Sequence, residues 1–112
     1  MILPCGSGSK LHWGGVVKVD PTTHYQEIIV VSCDRLNGLI EHAVGDLTVT
    51  VEPGIKYAEL QATLAKTGQF LAIDPAYPET ATLGGIIATA DTGSLRQRYR
   101  GVRDMLLGIS LV

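Results

Sequence analysis

The strongest constraint on this chain is a cluster of small residues: Pro4 to Gly15 reads PCGSGSKLHWGG and directly follows the apolar pair Ile2-Leu3. A strand is expected to end there, because Pro4 lacks the N–H that a ladder needs and the glycines turn the backbone. Gly6, Ser7, Gly8 and Ser9 leave room for backbone N–H groups to converge on an anion, which is the outline of a phosphate cradle. The alternative is an ordinary polar loop. Two familiar cradles do not fit the spelling. In a P-loop, Gly-Lys-Ser/Thr follows four residues after the first glycine, whereas Lys10 stands between Ser9 and Leu11; the dinucleotide fingerprint needs a third glycine where Leu11 stands.

Downstream, strand and helix signals alternate. Ile28-Ile29-Val30-Val31 is a continuous β-branched run, which predicts a strand covered on both faces, with turn residues from Asp34 to Gly38 after it. From Leu47 to Glu52 the apolar residues Leu47, Val49 and Val51 alternate with Thr48, Thr50 and Glu52, predicting a strand with one polar face. Pro53-Gly54 then turns the chain into a helix over about Lys56 to Thr67, with Tyr57, Leu60 and Leu64 on one face and Lys66 and Gly68 marking its end. A strand over Phe70 to Ile73 would complete a βαβ-like unit.

Beyond Asp74 the texture changes. Asp74-Pro75 and Tyr77-Pro78 impose extended, turn-prone backbone. Ile86 to Ala90 is expected as a short helix capped by Thr82, whose free N–H groups would open onto the Gly84-Gly85 turn as a second anion-facing element. Met105 to Val112 alternates as a strand would. The expected fold class is therefore α+β, a small mixed sheet with a βαβ-like unit.

Composition narrows the partners. With 112 residues, 46% hydrophobic content and a net charge of −2, the chain is one globular domain or a piece of one, and nucleic acid is not its obvious partner. The longest fully aliphatic run, Ile28 to Val31, is far short of the roughly 20 residues that cross a bilayer. No export signal is read in Met1 to Pro4, and Cys5 and Cys33 form no CxxC pair, so the expected compartment is the cytoplasm with both thiols reduced. Arg96, Arg98, Arg100 and Arg103 concentrate four of the nine basic residues, as a solvated face or as a contact for a phosphate or an acidic partner. His12 and Trp13 follow the cradle without an evident carboxylate partner, and His24 and His42 have no metal-ligand spacing with each other or with the cysteines.

Three segments together carry a family resemblance: Pro4-Cys5-Gly6-Ser7-Gly8-Ser9-Lys10-Leu11, Pro78-Glu79-Thr80-Ala81-Thr82-Leu83-Gly84-Gly85, and Arg98-Tyr99-Arg100-Gly101-Val102-Arg103-Asp104. They resemble the FAD-binding domain of the vanillyl-alcohol oxidase type, also called PCMH-type, and among its members look most like the FAD-binding subunit of bacterial glycolate oxidase. The resemblance implies a partial domain over residues 1–112, truncated at both ends. The first lobe would span about 1–104 and the opening strand of the second about 105–112, and the isolated piece is expected to be unstable.

It also implies FAD as cofactor. Gly6, Ser7, Gly8, Ser9 and Lys10 would lie at the pyrophosphate; Thr82, Gly84, Gly85, Thr89 and Gly93 would line the diphosphate and isoalloxazine side; Val102 would lie near the adenine. Relatives that bind flavin covalently use a histidine or a cysteine at positions held here by Ser9 and Tyr77, so FAD is expected to be non-covalent. No catalytic residue and no metal ligand is assigned.

The implied activity is that of a flavin-dependent oxidoreductase, glycolate to glyoxylate, in a complex with a second flavin subunit and an iron–sulfur subunit. Association with a membrane would come through such partners. A same-fold alternative is another oxidase or reductase, such as an enolpyruvyl sugar reductase; an alternative of another class is a non-catalytic nucleotide-binding or subunit-assembly module. One departure stands out within the resemblance: Arg100 occupies the first glycine of the family's Arg-Tyr-Gly-Gly pattern, which strains the chain if its φ is positive.

Overall fold

The computed structural model describes residues 2–15 and 28–111; His24 lies outside them. Strand β1 (Ile2–Cys5) runs parallel to β2 (Ile29–Ser32), with Ile2 opposite Ile29 and Cys5 opposite Ser32. The Cys33 N–H extends this ladder by donating to the Cys5 carbonyl at 2.8 Å. Pro4 sits inside β1 rather than ending it. Among the described residues β1 pairs with β2 alone, so it is an edge strand, where a missing N–H is tolerated.

Strands β3 (Leu39–Ala43) and β4 (Thr48–Val51) form an antiparallel hairpin closed by a 3-10 turn over Val44–Asp46, with Leu47 left-handed at φ 57°. The alternating segment supplies β4 as expected. β3 has no counterpart in the sequence reading: Leu-Ile-Glu-His-Ala does not alternate, and its register shifts between Leu39 and Glu41. Four helices follow, α1 (Tyr57–Ala65), α2 (Leu83–Thr89), α3 (Arg96–Tyr99) and α4 (Val102–Met105).

The core consists of two adjoining clusters. Leu60 and Leu64 of α1 join Ile55 and pack on Val49 and Val51 of β4. Tyr57 joins Ile73, Ala81, Ile86 and Val102, while Leu71 packs against both groups. Tyr57, Leu60 and Leu64 are the helix face that the spacing predicts. Full burial of a side chain such as Leu60 stabilises the fold by about 1.5–3 kcal/mol in transfer free energy.

Three expectations about strands are corrected. β2 forms, but it is not covered: Ile29, Val30 and Val31 keep 55%, 58% and 47% of their exposure, and neither core cluster includes a residue of β1 or β2. A β-branched run reports strand propensity and leaves open what packs on it. Phe70 to Ile73 is not a strand, because its backbone groups find side-chain partners from α1. The Leu71 N–H donates to Gln61 Oε1 at 2.8 Å, and the Leu71 carbonyl accepts from Gln61 Nε2 at 3.0 Å. The Ile73 carbonyl accepts the Tyr57 hydroxyl at 2.5 Å. The class is α+β, yet the βαβ-like unit loses its closing strand. Residues 106–111 likewise form no strand; Val102–Met105 is helical, opened by the Asp104 carboxylate accepting the Gly101 N–H at 2.9 Å.

Arg100, at the end of α3, has φ 71° and ψ −166°, a region occupied almost only by glycine. Its side chain is exposed and makes no ion pair among the described residues, so nothing there offsets the strain. Arg100→Gly is therefore expected to stabilise the chain by about 1 kcal/mol, raising the melting midpoint by roughly 5 °C. A thermal melt followed by circular dichroism checks this, and an unchanged midpoint would mean that the backbone relaxes without cost.

Candidate functional site

The cradle grows out of β1. After Cys5 the chain bends through Gly8, whose φ of +70° suits glycine, and it closes two short turns, Leu11 N–H to the Gly8 carbonyl at 3.4 Å and Trp13 N–H to the Lys10 carbonyl at 3.0 Å. Opposite this bend stands α2. Thr82 is its N-cap, 2% exposed, and Thr82 Oγ1 accepts the Gly85 N–H at 3.3 Å. The bend touches the cap directly: a Cβ added at Gly6 would overlap Thr82 Oγ1.

Between the two lies a cleft of about 160 Å³, with residues 4–11 on one wall and Ala81, Thr82, Gly85, Ala88 and Thr89 on the other. Pockets that enclose a drug-sized ligand measure about 300–1,000 Å³. This cleft is too small to enclose a whole dinucleotide and has room for one group of it.

Gly6, Ser7, Gly8, Ser9, Lys10, Thr82, Gly85 and Thr89 thus meet at one cleft, and Gly8 and Gly85 face it from opposite walls. Gly84, Gly93 and Val102 lie outside its lining. Gly84 is pressed on the turn before α1, where its added Cβ would stand 2.8 Å from Pro53 Cβ. Gly93 wraps Asp74, and the Val102 side chain belongs to the core. Pro4, Cys5, Leu11, Ala81 and Ala88 line the cleft without a chemical signal of their own. The spacing Gly85, Ala88, Thr89 on one helix face was the available clue to Ala88.

The two walls differ in their donors. Among the described residues, none of the N–H groups of Gly6, Ser7, Gly8, Ser9 and Lys10 donates to a backbone carbonyl. The N-terminal amides of α2 are all engaged: Leu83 with the Ile55 carbonyl at 3.0 Å, Gly84 with the Pro53 carbonyl at 2.8 Å, and Gly85 with Thr82 Oγ1. The expected free helix N-terminus is therefore corrected. The turn before α1 and the Thr82 cap use those amides, so α2 contributes a shaped wall, and the amides without backbone acceptors among the described residues are those of the first bend.

Charges around the cleft are paired internally. Lys10 Nζ lies 2.6 Å from Asp91 Oδ2 and 5.3 Å from the centre of the Trp13 ring. His12 and Tyr77 meet edge to face at 6.0 Å, with 3.4 Å between His12 Nε2 and the Tyr77 hydroxyl. Farther along, the Asp74 carboxyl is held below its usual range by the Leu95 N–H and then by the Ser94 hydroxyl. Burial pushes the Tyr57 phenol above its ordinary value, opposed by the Gln61 hydrogen bond. Among the described residues no three His, Cys, Asp or Glu side chains group for a metal, and no helix is long and apolar enough to cross a membrane.

A glycine-bearing bend that, among the described residues, leaves its amides without backbone acceptors, closed by a capped helix in an α+β frame, has the chemistry to receive the diphosphate of a nucleotide cofactor. The family described as "FAD binding domain" matches residues 1–112, and the chain belongs to it, as an FAD-binding domain of the PCMH type. It is 29% identical over its whole length to alkyldihydroxyacetonephosphate synthase of Dictyostelium discoideum, covering 18% of that protein. It is 32% identical to glycolate oxidase subunit GlcE of Escherichia coli (strain K12), over 96% of this chain and 28% of the relative. Over 62% of the chain it is 41% identical to the mitochondrial D-lactate dehydrogenase [cytochrome] of Arabidopsis thaliana, covering 12% of that protein. A solved alkyldihydroxyacetonephosphate synthase superposes with a TM-score of 0.74 at 29% identity, over 95% of this chain and 19% of that one. The matched segments therefore span between 12% and 28% of the length of these proteins.

Proposed function

We propose that this chain holds the diphosphate of non-covalent FAD in the Gly6–Lys10 bend and serves as the FAD-binding part of an oxidoreductase acting on a small 2-hydroxy acid. The observation that carries the reading is that, among the described residues, the five amides of the bend have no backbone acceptor, while the bend lines a cleft whose other wall is made of small residues. A dianion is held well by converging N–H dipoles in a space that larger side chains would fill. Thr82 supports the bend from below, and the Thr89 hydroxyl, which donates to the Gly85 carbonyl at 2.7 Å, keeps that carbonyl occupied beside the anion. Bound FAD supplies an acceptor for a hydride equivalent, and the chain's own part is to bind and orient it.

Among substrates, glycolate oxidised to glyoxylate is the leading reading, supported by the resemblance of the three motif segments and by the GlcE relative. D-lactate is the second, favoured by the 41% identity to a D-lactate dehydrogenase. Both are 2-hydroxy acids. A second flavin subunit and an iron–sulfur subunit are the proposed partners, in the cytoplasm. Residues 105–112 are proposed to lead toward the second lobe.

The test is a titration of the purified chain with FAD, followed by flavin fluorescence and visible absorbance, and then addition of glycolate or D-lactate. Saturable one-to-one binding is expected, with no flavin fluorescence on the polypeptide after denaturing electrophoresis. In a chain that circular dichroism shows to be folded, absence of saturable binding would remove the reading; the piece alone is expected to be inactive, and any bleaching of the flavin by one acid and not the other would identify the substrate.

A further inference from the structure

The bend that forms the first wall of the cleft is attached to α2 at two places. One is the contact of Gly6 with the Thr82 cap at the start of the helix. The other lies past its end, where Lys10 reaches Asp91, the residue after the left-handed C-cap Ala90. The Lys10 and Asp91 side chains retain only 6% and 9% of their exposure, so both charges are buried. Asp91 Oδ2 also accepts the Ala76 N–H at 2.9 Å, which ties in the Asp74–Pro78 loop, and the ammonium lies 5.3 Å from the centre of the Trp13 ring. Among the described residues Lys10 Nζ has no aligned hydrogen-bond acceptor, yet at 2.6 Å its attraction to the carboxylate does not depend on that alignment.

We propose that Lys10 and Asp91 form an internal strut that sets the width of the cleft, and that the Lys10 charge serves Asp91 and not the bound diphosphate. The inference rests on the FAD reading above. Lys10 and Asp91 are then positioning residues: they hold the row of amides at a fixed distance from the Thr82–Thr89 wall. The pairing also cancels a carboxylate that would otherwise stand close to a dianion. Neither motif spelling nor spacing pairs these two residues, since 80 positions separate them and the fold alone brings them together.

A phosphate ligand and a strut predict opposite results when Asp91 is neutralised. Asp91→Asn keeps the size of the side chain and an acceptor for Ala76. If Lys10 is a phosphate ligand, the variant frees its charge and binds FAD more tightly. If Lys10 is half of a strut, the variant leaves a buried ammonium facing a neutral amide, and FAD affinity falls about tenfold with a drop in melting midpoint. Lys10→Met is expected to lose at least as much, because it leaves Asp91 charged beside the dianion. The neutral pair, Lys10→Met with Asp91→Asn, leaves no isolated buried charge and is expected to recover the midpoint and most of the affinity.

The measurements are FAD fluorescence titrations and thermal melts on the full chain and the three variants. Weakened binding in both single variants with recovery in the double variant supports the strut. Tighter binding by Asp91→Asn overturns it, as does a double variant whose midpoint recovers while its affinity stays tenfold down. Should the double variant fail to fold, the direction of the Asp91→Asn change decides. A wild-type chain that binds no FAD overturns the FAD reading and this inference with it, whereas a wild type that binds alongside variants that bind equally well overturns the strut alone.

Discussion

Gly6→Ala is expected to lower FAD affinity by about 100-fold or more while leaving a folded chain. The added methyl group would overlap Thr82 Oγ1 and crowd Thr82 Cβ and Cγ2. Thr82 is 2% exposed and its hydroxyl oxygen holds the Gly85 N–H, so it cannot rotate away without losing the cap of α2. The bend must then move outward and carry the amides of Ser7 and Gly8 with it. Hydrogen bonds to a charged group contribute about 1.5–3 kcal/mol each, so misplacing two of them corresponds to roughly two orders of magnitude in dissociation constant. The stability cost is smaller, about 1–3 kcal/mol, as for other overpacked sites. A fluorescence titration measures the first effect and a urea melt the second. Affinity within threefold of the wild type would show that the Gly6 contact does not set the cleft.

The largest loss of stability is expected from Gly93→Ala. Here φ is +71°, unfavourable for alanine, and the new Cβ would land on both the carbonyl oxygen and the carboxylate of Asp74. Neither can yield. The Asp74 N–H donates to the Thr92 carbonyl at 3.0 Å, and its carboxylate accepts the Ser94 hydroxyl at 2.5 Å and the Leu95 N–H at 2.9 Å. Combined backbone strain and overlap cost more than about 3 kcal/mol, a large fraction of the total stability of a domain of this size. A urea or thermal melt detects the loss, and a cost below 1 kcal/mol would sink the expectation.

Asp74 also makes this clamp sensitive to acid. Its carboxyl is held below the ordinary value of 3.8, first by the Leu95 N–H and then by the Ser94 hydroxyl. A group whose folded pKa is depressed contributes stability that is complete above its unfolded value and is lost as pH falls through the folded one. The melting midpoint is thus expected to decline below about pH 4, and the decline should be shallower in Asp74→Asn. Identical acid profiles for the two proteins would remove Asp74 from the account.

Local signals were strong where one short stretch decides its own conformation. The helix face Tyr57, Leu60 and Leu64 follows from spacing, because a helix closes its hydrogen bonds within itself and only its apolar stripe needs a partner. The Thr82 cap follows because the side chain of the cap serves an amide three residues on. The bend at Gly6 to Ser9 follows because small residues after a strand leave little else for the backbone to do. Arg100 was legible as a problem, and its φ of 71° makes it one.

What depends on distant partners was not legible. Phe70 to Ile73 spells a strand, yet the Gln61 amide ten residues earlier satisfies Leu71 in place of a neighbouring strand. The amides at the start of α2 would be free in isolation, and the carbonyls of Pro53 and Ile55 claim them. The sequence alone therefore determined the helix, the cap and the glycine bend, since these rest on interactions within a few residues. Only the tertiary structure decided that the first amides of α2 are taken up by Pro53 and Ile55 and that Lys10 is turned toward Asp91, because hydrogen bonds and ion pairs go to whichever partner the folded chain brings within about 3 Å, and sequence separation carries no record of that.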